Sequence, residues 1–240
     1  MKIPIILAEW SGFNLKAERC FSFSWLYNKK GIFCLLENLE QFSSNQIEVI
    51  LIINNGMPVE YDYLKTNFSI VKQIIYRNSN LGLDFGAYAE GYKYLISTGY
   101  LGDFILMNSS CIGPGSSDWL NKYKAKFLEP NMGLVGATYC GYSLKELKQP
   151  FKPHVQSYFL YTSTSILTHV FPAGLNSLNA TNKDEVIIQG EIWFSTQVLN
   201  MGYKLGAIID DFTYGKNDNW LMPSVKYDQK YLRATPPFTL

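Results

Sequence analysis

A chain of 240 residues is long enough to bury the core of one large α/β domain, and its 47% hydrophobic and 17% charged content excludes the disordered and highly charged classes. Twenty-one Lys and Arg against twenty Asp and Glu leave a formal charge of +1. That excludes a global field steering the protein onto nucleic acid or an anionic membrane, so an anionic ligand has to be neutralised locally.

The opening apolar run, residues 3–8, is too short for a signal peptide or a membrane span and ends at Glu9, so it is expected as a first buried strand. Over residues 21–42, Phe21, Trp25, Leu26, Phe33, Leu36 and Leu39 follow roughly helical spacing, with Gly31 as a break. Residues 47–53 form a run rich in Ile and broken only by Glu48, closed by Asn54-Asn55-Gly56, which predicts a strand buried on both faces. Another strand is expected at 70–76, then a polar, glycine-containing loop at 78–86 and a helix at 87–97 with Tyr88, Tyr92 and Leu95 on one side.

A strand at 104–107 runs straight into Asn108-Ser109-Ser110. A helix at 119–127, strands at 133–137 and 158–161 and a helix near 165–171 follow. Residues 189–201 read as a helix capped by Gly202, residues 205–209 as a late strand, and the tail from Asp210 as a wrap over the domain. Cys20, Cys34, Cys111 and Cys140 lack the spacing of a zinc knuckle or redox pair, which suits reduced thiols in a cytoplasmic protein. Seventeen Tyr suit a protein that stacks rings on sugars or bases, although core packing accounts for most aromatics.

This alternation predicts an α/β fold with a mostly parallel central sheet, helices on both faces, and ligand sites at the carboxyl ends of the strands. Three such ends carry unusual residues: Asn54-Asn55-Gly56, residues 80–86, and residues 108–114.

Three segments in this order carry a resemblance. Arg77-Asn78-Ser79-Asn80-Leu81-Gly82-Leu83-Asp84-Phe85-Gly86 contains a pattern N-x-G-x-D-x-G, Leu106-Met107-Asn108-Ser109-Ser110-Cys111-Ile112-Gly113-Pro114 is similar to L-N-D-S-x-x-G-P with Met107 for the Leu and Ser109 for the Asp, and His154-Val155-Gln156-Ser157-Tyr158-Phe159 matches H-x-Q-S-Y-F. Together they resemble the rhamnan synthesis protein F group of glycosyltransferases, bacterial enzymes of surface-polysaccharide synthesis. A fourth match, Gly190-Glu191-Ile192-Trp193-Phe194-Ser195, looks like the helix carrying an acidic residue in inverting GT-A enzymes.

The resemblance implies one GT-A-like domain over residues 1–240. Residues 1–110 would be a Rossmann-like nucleotide-sugar half, 111–210 an acceptor half, and 211–240 a tail or lid. It implies transfer of rhamnose or a related hexose from a dTDP-, UDP- or GDP-sugar to a glycan or lipid-linked saccharide, with inversion. Glu191 would be the general base; Asn54, Asn55, Arg77, Asn80, Gly82, Asp84, Asn108, Ser109 and Ser110 would hold the nucleotide sugar; His154, Gln156 and Ser157 would line the acceptor or phosphate side. Lys204 is a further candidate for offsetting diphosphate charge, and a peripheral membrane contact through a lipid-linked acceptor is compatible with this scheme.

The same residues have plainer readings. Asp84 suits a helix start, Asn108 and Ser110 a turn, Glu191 the positive end of a helix dipole, and a lone His a packing role. One departure from the family bears on metal. Where inverting GT-A enzymes place Asp-x-Asp, this chain has Asn108-Ser109-Ser110, and Mg²⁺ or Mn²⁺ held by Asn108 and Ser110 would lack an anionic ligand. That substitution favours a second expectation, a nucleotide-sugar- or glycan-binding module of the same fold without catalysis. A dehydrogenase is set aside because Glu9-Trp10-Ser11-Gly12 supplies no Gly-x-Gly-x-x-Gly turn, and nucleic-acid binding because no basic patch is present.

Overall fold

The computed structural model describes residues 1–11, 19–20, 29–56, 58–140, 153–175 and 179–218. In chain order the elements are β1 (Ile3–Trp10), β2 (Arg19–Cys20), β3 (Lys29–Lys30), α1 (Ile32–Ser43), β4 (Ile47–Asn54), α2 (Pro58–Asn67), β5 (Val71–Arg77), α3 (Leu83–Ser97) and β6 (Asp103–Asn108). There follow α4 (Trp119–Phe127), β7 (Met132–Gly136), β8 (Tyr139–Cys140), β9 (His154–Val155), β10 (Phe159–Ser163), α5 (Thr164–Val170), α6 (Lys183–Val186), a π-helical turn (Ile187–Ile192), α7 (Trp193–Asn200), β11 (Lys204–Ala207), a 3₁₀ turn (Ile209–Asp211) and β12 (Phe212–Tyr214).

Eight strands form the central sheet in the order β12-β11-β7-β10-β6-β1-β4-β5, while β2 pairs with β3 and β8 with β9 as short ribbons. Within the large sheet β10 and β12 run against the other strands, so the expected mostly parallel α/β architecture is what the chain adopts. The pleat explains how one run of apolar residues serves two faces. Ile5, Leu7, Val49, Leu51, Ile53, Ile105 and Met107 pack under α1, α2 and α4, through side chains such as Leu36, Leu64, Trp119 and Tyr123. Their neighbours Ile6, Ala8, Ile50, Ile52, Phe104 and Leu106 pack under α3, α5 and α7, through Tyr88, Tyr92, Leu167, Phe194 and Val198.

Several boundaries differ from the sequence expectation. The helix expected over 21–42 begins only after Gly31, whose φ of 131° precedes Ile32; its predicted first part, 21–28, lies outside the described residues. Helix α2 was not expected; it opens on Pro58, and proline is at home in a first helical turn. Helix α3 starts at Leu83 rather than 87, so Asp84 belongs to its first turn.

The helix expected from 189 begins at Lys183, where Asn182 Oδ1 accepts from the Glu185 N–H at 2.9 Å. Glu191 therefore sits inside a continuous helical stretch, in its π-helical turn, and the expected contact with the positive end of a helix dipole does not occur. At the other end, Gly202 takes φ 87° just past α7, as a helix-terminating glycine should. Of the predicted tail, residues 219–240 lie outside the described residues.

Candidate functional site

From β1 the chain turns to β4 and β5 on one side, then crosses to β6 on the other. The crevice outside the carboxyl ends of β1 and β6 is thus a topological switch point, where open α/β sheets bind ligands. Asn54, Arg77 and Asn108 end the strands β4, β5 and β6, which brings the expected residues of those three loops to this one end.

The first layer is a scaffold. Asn54, 1% exposed, donates through Nδ2 to Leu83 O at 3.1 Å and accepts from Arg77 Nη1. Arg77 Nη2 donates to Leu81 O at 3.0 Å. Gly82 adopts φ 73°, its N–H meets Ala180 O at 2.7 Å, and the Leu83 N–H donates to Asn80 O at 3.0 Å. A Cβ on Gly86 would lie 2.2 Å from Leu81 O and 2.5 Å from Arg77 Nη2, so only glycine lets α3 approach the guanidinium this closely. Arg77, expected as a diphosphate cation, thus fixes the loop before α3. Asn55, at φ 54°, contributes its carbonyl to the Ser11 hydroxyl.

The second layer joins α3 to the loop after β6. Asn108 Nδ2 donates to Asp84 Oδ2 at 2.6 Å, while Asn108 Oδ1 accepts the Ser110 N–H at 3.1 Å and the Ser110 hydroxyl. Buried Ser109 donates its N–H to Ala8 O at 3.0 Å. Burial is the main influence on the Asp84 carboxyl and raises its pKa; the Asn108 hydrogen bond opposes that, the negative Glu191 reinforces it, and the Lys183 charge opposes it again.

The third layer is an ion pair. His154 Nε2 stands 3.2 Å from Glu191 Oε1, with side chains 2% and 11% exposed, and Glu191 Oε2 accepts the Ser157 N–H at 2.6 Å. Burial alone would lower the His154 pKa, but hydrogen bonds to Cys140, its partner across the β8–β9 ribbon, and to Glu191 lift it to about 9. Burial pushes Glu191 upward, and the His154 and Ser157 contacts overcome it, leaving the carboxylate below its ordinary pKa. Tyr88 joins the second and third layers. Its hydroxyl donates to Ser157 O at 2.8 Å, and burial, then the charges of Asp84, Cys111 and Glu191, hold its pKa well above the ordinary value.

Gly190 makes this convergence sterically feasible. A Cβ there would lie 2.5 Å from Phe85 Cδ2, so the glycine allows the π turn to sit against α3 beside Asp84. Buried His154 is paired inward rather than lining open space, and Gln156 Oε1 accepts from Thr138 Oγ1 at 2.6 Å, so both act as support. Lys204 opens β11 beside Met132, at the opposite end of the sheet from the crevice, and is not a site residue. The cation whose charge reaches Asp84 is exposed Lys183, which the sequence reading missed. Also missed was Glu9, 3% exposed at the carboxyl end of β1; a carboxylate directly after the apolar run 3–8 is costly to bury and was the available signal.

A divalent cation does not fit the Asn108–Ser110 turn. Asn108 Oδ1 is committed to Ser110, and Asp84, the carboxylate in contact with Asn108, already accepts from its amide. Among the described residues no group of three His, Cys, Asp or Glu is placed to hold a metal.

The chain matches the family model of rhamnan synthesis protein F over residues 49–239, and it belongs to that family. Membership makes it a glycosyltransferase-like protein of polysaccharide synthesis. No curated protein sequence gives a significant match. Among solved structures, the chain is similar to the crystal structure of HddC from Yersinia pseudotuberculosis, with 14% identity and a TM-score of 0.42 over 68% of this chain and 77% of that one. Among the described residues no helix is long and apolar enough to cross a membrane.

Proposed function

From membership of the rhamnan synthesis protein F family, we propose that this protein is an inverting glycosyltransferase. It moves rhamnose or a related hexose from a nucleotide sugar to a growing surface polysaccharide or lipid-linked saccharide. The observation that supports this reading is the meeting of Asp84, Asn108 and Tyr88 with the Glu191–His154 pair at the switch point of the sheet.

In such a transfer the acceptor hydroxyl oxygen attacks the anomeric carbon, the bond from that carbon to the diphosphate oxygen breaks, and the acceptor proton passes to a carboxylate. The two carboxylates of the site are in different electrostatic states, which is how acid and base roles are separated. Glu191, expected as base, has one oxygen ion-paired and the other on a backbone N–H, and its lowered pKa makes it a poor proton acceptor. Asp84 has a raised pKa and, among the described residues, hydrogen-bonds through Oδ2 alone, which suits it better to take the proton. Glu191 remains negative and offsets positive charge developing at the anomeric centre. Lys183 offsets charge on the departing diphosphate.

The Asn108-Ser109-Ser110 turn in place of Asp-x-Asp favours a second reading, a nucleotide-sugar-binding protein without transfer. Calorimetric titration of dTDP-rhamnose, UDP-glucose, UDP-galactose and GDP-sugars, with and without Mn²⁺, separates the two when combined with an assay for sugar release. Binding with release that Asp84→Asn abolishes supports the transferase. Binding without release supports the second reading, and no binding of any donor sinks both.

A further inference from the structure

Beyond the crevice, a groove of about 530 Å³ lies between α3 and residues 171–175, lined in part by Glu90, Tyr92, Lys93, Thr168, Phe171 and Leu175. Its volume falls within the range of small-ligand sites, roughly 300–1,000 Å³. We propose that this groove, flanked by Trp193, is a subsite for the uncharged polysaccharide chain, separate from the crevice. The proposal rests on the transferase reading only for the identity of the polymer.

Trp193 belongs to the Gly190–Ser195 motif yet has no part in the crevice, and the residue is 40% exposed. It is held against Phe171, with ring centroids 5.1 Å apart and planes tilted by 32°, and Phe171 is in turn stacked on Phe194 at 5.1 Å. An exposed indole fixed by two further rings offers a flat apolar face to the C–H face of a sugar, at little conformational cost.

The groove beside it is polar in a balanced way. Glu90 and Lys93 stand one turn apart on α3 with opposite charges, and no salt bridge joins them among the described residues. Their head groups can therefore serve sugar hydroxyls as acceptor and donor, and their cancelling charges favour a neutral ligand. The wall is fixed as well: Tyr92 OH lies 3.2 Å from Thr168 Oγ1, and its ring stacks on Phe104 at 5.6 Å. Glu90 follows Asp84 by six residues on the same helix, roughly 9 Å along the axis.

The test is saturation-transfer NMR and calorimetry with a linear rhamnose tetrasaccharide, without donor, on the wild type, Trp193→Leu, Glu90→Gln and Asp84→Asn. The expected result is binding that weakens about tenfold in Trp193→Leu and several-fold in Glu90→Gln, and persists in Asp84→Asn. Absence of binding, affinity unchanged in Trp193→Leu, or preference for an anionic galacturonate tetrasaccharide overturns the proposal. So does a concentration-dependent dimer that Trp193→Leu abolishes, which would give the surface to a second copy. A protein that binds no nucleotide sugar but binds the tetrasaccharide at Trp193 loses the transferase reading and keeps the groove.

Discussion

His154 and Glu191 form a buried ion pair, Nε2 to Oε1 3.2 Å, that ties the β8–β9 ribbon to the π-helical turn. Neither charge has much access to water, so each depends on the other for its ionised state. Removal of one partner leaves an uncompensated buried charge. His154→Ala is expected to cost about 3–5 kcal/mol in urea denaturation, and His154→Gln, which keeps a donor, less.

The same pair sets a pH dependence. The His154 pKa is raised from 6.5 to about 9, so the folded protein holds this proton more tightly than the unfolded chain. Its contribution is complete below pH 6.5 and is lost as pH rises towards 9. Glu191 is lowered from 4.5, so its contribution is present above 4.5 and lost as pH falls through the folded value. Unfolding free energy measured between pH 4 and 9.5 should therefore decline on the alkaline limb in the wild type, and that decline should be smaller in His154→Gln.

Asp84→Asn keeps an oxygen for the Asn108 amide and removes a negative charge that stands near Glu191. Stability is expected to stay within about 0.5 kcal/mol of the wild type or to rise, while sugar transfer falls by roughly a hundredfold or more. A thermal melt and a transfer assay on one preparation check both. Equal loss in the two would mark Asp84 as structural.

The strands of the sheet were legible because β1, β4 and β6 are buried on both faces and read as predominantly apolar runs, with Glu9, Glu48 and Asp103 near their ends. Helix α2 was hidden because its buried face is narrow, Tyr61 and Leu64 with Phe68 just beyond, behind a proline. The early start of α6 was hidden by a polar first turn. Motif order did mark the loops that meet at the crevice, but spacing says nothing of side-chain direction. It could not show that Arg77 turns to Asn54 and Leu81, or that the charge reaching Asp84 comes from Lys183.

Gly86 and Gly190 separate scaffold from site. Gly86→Ala drives a methyl into Leu81 O and Arg77, and is expected to cost about 1–3 kcal/mol by thermal or denaturant unfolding. Gly190→Ala meets the Phe85 ring, itself buried, and should displace the turn that carries Glu191. Its signature is a fall in transfer larger than its loss of stability accounts for, with the alkaline decline of the His154–Glu191 pair reduced.

Asn108→Asp tests the metal question directly. The substitution places a second carboxylate where Nδ2 now donates to Asp84 Oδ2 at 2.6 Å, and turns a hydrogen bond into a like-charge contact. Without metal the variant should be less stable than the wild type at pH 8 by about 1–3 kcal/mol, and should recover as pH falls and the pair takes up a proton. Two carboxylates beside the Ser110 hydroxyl also form the anionic oxygen set that the wild type lacks, so Mn²⁺ should raise the melting temperature of Asn108→Asp and leave the wild type unchanged. A wild type that Mn²⁺ stabilises as strongly as the variant would mean that the native turn opens Asn108 Oδ1 towards a cation, against the hydrogen bonds from Ser110.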